Sequence, residues 1–235
     1  MAETSKTVDQ ALTLLLALAD EAPLTAAELT RRLDLNRTIV QRLLSSLHKR
    51  GFVTRRDRGY VPGAVLVRIA ERVQPELRAA AADIMARLGK AVGETVVLQI
   101  TDQDQAVVIE QYASDQHVLR VEHEIGSRHP MSVGASGRAL LAFAAPATIE
   151  QVLRKSDDRE ELYRQLEATR RLGYSLSHDE LQLGVYGLAM PVMDRDHKPL
   201  ASLAIIVPAA RSTGLTQHLD PLREAVRDVS DALLG

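Results

Sequence analysis

Residues 25–61 read TAAELTRRLDLNRTIVQRLLSSLHKRGFVTRRDRGYV, and the order of signals along this stretch decides the architecture. Thr25 and Glu28 stand three apart at the head of an apolar run. That is the spacing of a capping box, in which a hydroxyl and a carboxylate satisfy free amides at a helix start. The helix is short and ends near Arg31-Arg32-Leu33. Asp34-Leu35-Asn36 then makes a tight turn, and Asn36 caps a longer helix from about Arg37 to Arg50. Val40, Leu43, Leu44 and Leu47 follow the i, i+3, i+4, i+7 pattern and face inward. Gly51 stops the helix. Phe52-Val53-Thr54-Arg55, the polar turn Arg56-Asp57-Arg58-Gly59 and Tyr60-Val61 predict a two-stranded hairpin.

Upstream, residues 8–19 place Val8, Leu12, Leu15, Leu16 and Ala19 at helical spacing, which predicts a first amphipathic helix. Three helices followed by a hairpin make a winged helix-turn-helix, whose third helix would lie in the major groove of DNA. With the apolar stripe inward, Arg37, Thr38, Gln41, Arg42 and Ser45 are left outside, toward the end that enters the groove. Arg pairs bidentately with guanine and Gln with adenine, and Ile39 is placed to touch a thymine methyl. Arg55, Arg56 and Arg58 sit at the wing tip, where phosphate or minor-groove contacts are expected.

Charge supports this reading. The net charge of −2 divides into +4 over residues 1–75 and −6 over residues 76–235, and residues 31–58 alone carry +7. A compact basic segment on an acidic chain suits a polyanion partner, although a solvated basic surface would look the same from charge alone. Aromatic residues are 3% of the chain, too few for a base-stacking platform. There is no cysteine, which excludes disulfides, a thiol nucleophile and zinc–thiolate sites. The run Ala11–Ala19 is flanked by Glu3, Asp9 and Asp20-Glu21 and not by a basic start and a small-residue cleavage site, so it is not read as a signal peptide. No apolar run reaches membrane-spanning length, and a cytoplasmic protein is expected.

Pro62-Gly63 closes the unit. Ala64–Val73 reads as a connecting helix ended by Gln74-Pro75, so the expected domains are 1–62, a linker helix over 63–75, and 76–235. The last mixes element types. Leu77–Leu88 is helical. Glu94–Thr101 and Ala106–Ala113 flank the turn Asp102-Gln103-Asp104-Gln105 as a hairpin, and His117–His123 reads as another strand. Ser136–Ala144 and Thr148–Leu172 are helical, Leu188–Asp194 and Leu200–Ala209 are strands, and Thr216–Leu234 is a final helix. This order predicts an α+β domain with a mostly antiparallel sheet.

Several segments in this order resemble the IclR family of bacterial transcription regulators, over almost the whole chain from Val8 to Leu234. They are Val8–Leu18, Thr25–Leu35, Arg42–Val53, Gly93–Leu98 (GETVVL), Gly126–Ala142 (GSRHPMSVGASGRALLA), Arg171–Tyr174 (RLGY), Gly184–Val192 (GVYGLAMPV) and Ala201–Val207. The resemblance implies a winged-helix homodimer or dimer of dimers on a pseudo-palindromic site of double-stranded DNA. It also implies a GAF-like C-terminal domain and a small-molecule effector that changes DNA affinity. Repression is the expected sense. No cofactor or metal is implied.

In relatives that take small organic acids, the resemblance places the ligand against the loop opening the helix after Met131, with Gly134 and Ala135 on that loop. Other polar contacts there fall on positions that in this chain are Ser177, Gly187, Ala204 and Ile206, with Val185 beside them. Those anchors are reduced or lost here, so the side-chain wall is expected to be apolar. The effector is expected to be larger and more hydrophobic than a small oxyacid, with a carboxylate still open to the loop amides. A degenerate, ligand-free site is the competing expectation.

Gly134-Ala135-Ser136-Gly137 fails as a nucleophile elbow because Arg138 stands where a glycine is required. His117, His123 and His129, spaced by six, would lie too far apart on a strand to share a metal. Two rival readings remain: an enzyme with a regulatory winged helix, which would need convergent polar residues in the second domain, and a constitutive DNA-binding protein whose C-terminal domain only oligomerises.

Overall fold

A computed structural model describes residues 4–235; Glu3 and the start of the first expected domain lie outside the described residues. The chain divides into two compact units between Gln74 and Pro75.

The first unit holds α1 (Lys6–Asp20), α2 (Ala26–Leu33), α3 (Arg37–Lys49), the hairpin β1 (Val53–Arg56) and β2 (Gly59–Pro62), and a one-and-a-half-turn α4 (Val65–Ala70). Both halves of the Thr25–Glu28 capping box are formed. Asn36 Oδ1 accepts from the amide of Thr38 at 2.8 Å and so starts α3. Gly51, at φ +77°, ends the helix in a conformation that a side chain would strain. Val40, Leu43 and Leu44 of α3 close a core with Leu14, Ala17 and Leu18 of α1, Leu24, Leu29 and Val53. Leu24 and Tyr60 exchange backbone hydrogen bonds of 3.1 and 2.8 Å, which pins the wing to the α1–α2 loop.

One correction falls on α1. Its buried face is Leu14, Ala17 and Leu18, whereas Val8, Leu12 and Leu16 are 55–66% exposed. The nine-residue run ALTLLLALA is apolar on every side, so periodicity alone could not choose between two overlapping stripes. The connecting helix is also shorter than expected, covering Val65–Ala70 within Ala64–Val73.

The second unit is built on one six-stranded antiparallel sheet in the order β5-β4-β3-β8-β7-β6. Its elements in chain order are α5 (Pro75–Val92), β3 (Thr95–Asp102), β4 (Gln105–Tyr112), β5 (Arg128–Pro130), α6 (Gly134–Leu141), α7 (Pro146–Lys155), α8 (Arg159–Leu172), β6 (Ser175–His178), β7 (Val185–Met193), β8 (Pro199–Pro208) and α9 (Leu219–Leu234). Alternation along the strands sends Val96, Leu98, Leu203, Ile205 and Val207 to one face, against Met85 and Leu88 of α5 and Leu222 and Val229 of α9. The opposite face meets α6 through Ala135, Ala139, Ala189 and Ala204, small side chains that let the helix lie close. Ile109 of β4 is an extra residue opposite the Leu98–Gln99 step, and alternation along β3 places Gln99 with Thr95 and Val97 on the α6 side.

Three expectations change here. Residues 117–123 form no strand: Val118 is fully exposed and Leu119 largely so, and β4 pairs instead with β5, three residues long. The predicted stretch Thr148–Leu172 is two helices. Asp158, whose side chain accepts from the amide of Glu161 at 2.9 Å, restarts the second. The short strand β6 was not read from the sequence at all; it pairs with β7 at the edge of the sheet.

Candidate functional site

The first unit presents a continuous polar surface on α3 and the wing. Arg37, Thr38, Ile39, Gln41, Arg42 and Ser45 are all exposed, as are Arg55, Arg56 and Arg58. The hairpin is tighter than the expected turn: Arg56 pairs with Gly59 inside the ladder, which leaves Asp57 and Arg58 at the tip. Among the described residues, the ion pairs of this unit are those of Arg32 with Asp20 and Glu21. None of the arginines of α3 or the wing takes part in one. Exposed guanidinium groups with no internal partner are free to meet phosphates and base edges.

The second unit encloses a cavity of about 20 Å³, little more than one water, between the α6 face of the sheet and the loops over it. Sheet register assembles its floor. Ser177, Gly187, Ile206 and Thr95 form one row across β6, β7, β8 and β3. Ala189, Ala204 and Val97 form the next, and Pro191, Ser202 and Gln99 the one after. Six residues anticipated from the sequence line the space: Ala135, Ser177, Val185, Gly187, Ala204 and Ile206. Gly187 leaves this part of the wall bare: a Cβ there would stand 2.8 Å from Ser177 Oγ, which would have to turn aside, and 3.4 Å from the Ala135 Cβ.

Two anticipated residues are placed differently. Met131 is fully buried in a separate cluster with Leu140, Leu141 and Leu166 and does not line the cavity. Gly134 opens α6 at φ +81°, but its amide is not free: it donates to Glu180 Oε2 at 2.8 Å. Arg138, one turn on and 3% exposed, forks the same carboxylate at 2.5 and 2.7 Å and reaches Ser175 Oγ at 3.3 Å. Burial works to raise the Glu180 carboxyl. The hydrogen bonds from Arg138 and Gly134, with the Arg138 charge, outweigh burial and hold it below the ordinary glutamate value.

The wall is also more polar than the sequence suggested. Gln99, His123 and Ser136 line the cavity together with Ser177 and with Leu181, which leans over Gly134. Gln99 is 2% exposed; one end of its side-chain amide meets His129 Nε2 at 2.9 Å, and the other end has no partner among the described residues. Neither do the His123 ring and the hydroxyls of Ser136 and Ser177. Burial, and then the nearby His129, push the His123 imidazole below its ordinary value, so at neutral pH it is uncharged. Thr95 Oγ1 and Ser202 Oγ, on the same face of the sheet, are buried without partners too. Sequence spacing could not reveal this convergence, because each residue arrives on a different strand or loop.

Comparison with known proteins gives a consistent picture. The family model described as bacterial transcriptional regulator IclR C-terminal matches residues 72–233, and that of the MarR family matches residues 9–59. The HTH-type transcriptional regulator KipR of Bacillus subtilis is 29% identical, over 98% of this chain and 96% of its own length. The transcriptional repressor IclR of Escherichia coli is 28% identical, over 79% and 73%. Among solved structures, a regulator from Alicyclobacillus acidocaldarius superposes with a TM-score of 0.82 at 25% identity, covering 98% of this chain and 100% of that one. An IclR homologue from Microbacterium hydrocarbonoxydans, solved with 4-hydroxybenzoate, gives 0.85 at 24% identity, covering 97% and 99%, which is a likeness of fold.

Proposed function

Because this chain belongs to the IclR family of bacterial transcriptional regulators, we propose that it is a repressor whose hold on a pseudo-palindromic operator is controlled by a small, largely apolar organic effector. The chain is a DNA-binding regulator and not an enzyme, as its relatives are. The observation that carries the DNA-reading assignment is the set of exposed, internally unpaired arginines on α3 and the wing. In this reading Arg37, Thr38, Ile39, Gln41, Arg42 and Ser45 address base edges, and Arg55, Arg56 and Arg58 hold phosphates or the minor groove.

A homodimer, or a dimer of dimers, is the form that reads such a site. The exposed stripe Val8, Leu12 and Leu16 on α1 supports it, since three large apolar side chains at successive turns have no internal partner to cover them. The effector belongs in the cavity beneath α6, whose unpaired polar groups are left for a ligand. A protein of the same fold, from Microbacterium hydrocarbonoxydans, has been solved with a small aromatic molecule. The near-closure of the cavity keeps a constitutive DNA-binding protein as the second reading. Among the described residues, no helix is long and apolar enough to cross a membrane.

Fluorescence anisotropy with the DNA upstream of the chain's own coding region, against a scrambled duplex at two salt concentrations, tests the assignment. Specific binding tighter by about 10³-fold or more is the expected result. Equal, salt-sensitive binding to both duplexes would mean either an operator elsewhere or only a nonspecific basic surface. Specific binding that no small molecule alters would favour the constitutive reading.

A further inference from the structure

The start of α1 takes no part in the core of the first unit. Leu14, Ala17 and Leu18 carry the buried face of this helix. Four and seven residues before Leu14, the same face reaches Gln10 and Thr7, with Lys6 alongside. A stripe that faces a core is apolar at such positions. Here it turns polar, with Gln10 half-buried and Lys6 and Thr7 exposed. What these side chains face is α3. With Ile39, Arg42, Leu43 and Ser46 they line a groove of about 360 Å³ between the two helices.

The groove is cationic and its polar groups are unpaired. The side chains of Lys6, Thr7, Gln10, Arg42 and Ser46 have no hydrogen-bond or ion-pair partner among the described residues, and no described carboxylate lines the space. Two cations therefore border it without a counter-ion, beside two hydroxyls and an amide that can donate to an anion's oxygens. Ile39, 36% exposed, adds apolar surface. A backbone phosphate with its deoxyribose matches both features, offering anionic oxygens and an apolar sugar edge. The position agrees as well. Arg42 borders the groove and also stands on the outer face of α3 with Thr38 and Ser45. A helix in the major groove lies between two sugar-phosphate backbones, so a cleft on the flank of the reading face is where one of them runs. No wing residue lines this cleft.

We propose that the α1–α3 groove seats one backbone phosphate of the bound duplex, with Lys6 as its principal charge, Thr7, Gln10 and Ser46 as neutral donors, and Ile39 against the sugar. This rests on the reading of α3 as the helix that enters DNA, and it adds a backbone anchor independent of the wing. The consequence is registry. Phosphate contacts fix how a reading helix lies and carry no sequence information themselves. Because Arg42 belongs to both the seat and the reading face, a phosphate held here sets where Arg42 meets the base edges. The seat also leaves α1 free to assemble. Val8, Leu12 and Leu16, its exposed apolar stripe, lie around the far side of the helix from Thr7 and Gln10.

Fluorescence anisotropy on the full chain tests the seat with two labelled duplexes, one from upstream of its own coding region and one scrambled, between about 50 and about 200 mM salt. Lys6→Ala is expected to weaken both duplexes by the same factor. It should also lower the slope of log K against log salt by about one for each protomer bound. Lys6→Arg should restore the slope, and Gln10→Glu, which brings a carboxylate into the groove, should lower it on both duplexes. Lys198→Ala, the same loss of charge at an exposed position between β7 and β8, should leave it unchanged. Slopes that hold in Lys6→Ala and Gln10→Glu, or that change no more than in Lys198→Ala, overturn the seat and leave the DNA-binding reading standing. A loss confined to one duplex does the same, since it marks a base contact. If the wild type binds neither duplex, the DNA-binding reading falls and the seat with it. Lys6 is exposed, so its variants keep the fold, which their melting temperatures check.

Discussion

Glu180 Oε2 lies 2.8 Å from the amide nitrogen of Gly134, so a loop between β6 and β7 caps a helix that begins 46 residues earlier. Arg138 closes the arrangement on the same carboxylate from inside α6. The contact holds together two elements that both border the cavity, and it sets the local charge balance to zero.

The pair should therefore matter to stability. Glu180→Ala leaves the Arg138 guanidinium, 3% exposed, without its counter-ion, and a loss of about 3–5 kcal/mol in urea unfolding is expected. The double variant Arg138→Leu/Glu180→Leu should recover much of that loss, because no buried charge is left alone. If Glu180→Ala cost only about 1 kcal/mol or less, the pair would be behaving as a surface salt bridge.

DNA recognition separates into two kinds of variant. Arg42→Ala, on the exposed face of α3, should weaken specific binding by about 1–3 kcal/mol and relax the preference at one base position. Arg58→Ala, at the wing tip, should weaken all sequences alike and lower the slope of log K against log salt by about one. Anisotropy titrations on operator and scrambled duplexes read both effects. An unchanged affinity on the true operator would remove Arg42 from the reading set.

What the sequence disclosed follows from where the information is local. The cap at Thr25, the cap at Asn36, the spacing of Val40, Leu43 and Leu44, and the stop at Gly51 lie within 27 residues, and all were legible. The face of α1 was not, because a run apolar all round carries no phase. Residues 117–123 alternate as a strand does, but they take no place in the sheet; Arg211 and Gln116 hold that segment and its approach through Leu119 O and Lys90 O instead. At the cavity the resemblance supplied Ser177, Gly187, Ala204 and Ile206. It could not supply Gln99, which only the fold brings to His129 and the cavity, or the use of Glu180 on Gly134, which only the three-dimensional return of the loop creates.

The exposed stripe on α1 gives a test of assembly. Leu12 is 55% exposed, so Leu12→Glu should leave the fold and its melting temperature nearly unchanged. A charge at the centre of an apolar seam should nevertheless split a dimer that forms there, halving the mass seen by light scattering and weakening operator binding with it. Unchanged mass and unchanged affinity would show that this stripe is not the seam.

Acid should destabilise the second unit, and the sign follows from its histidines. Burial is the foremost cause that pushes His123, His129 and His218 below the ordinary value of 6.5. Below pH 6.5 the unfolded chain therefore takes up protons that the folded chain refuses. Stability is complete above that pH and is lost as pH falls through it toward the lower folded values. For His129, 8% exposed and bonded to Gln99, the slope can reach about 1.4 kcal/mol per pH unit in that window. The lowered Glu180 carboxyl adds a second loss of the same sign below its ordinary value of 4.5. Melting temperatures taken from pH 8 to pH 5 should fall on the acid side, and His129→Gln should flatten the fall. A melting temperature that is level or rises on acidification would contradict the burial of neutral imidazoles beneath α6.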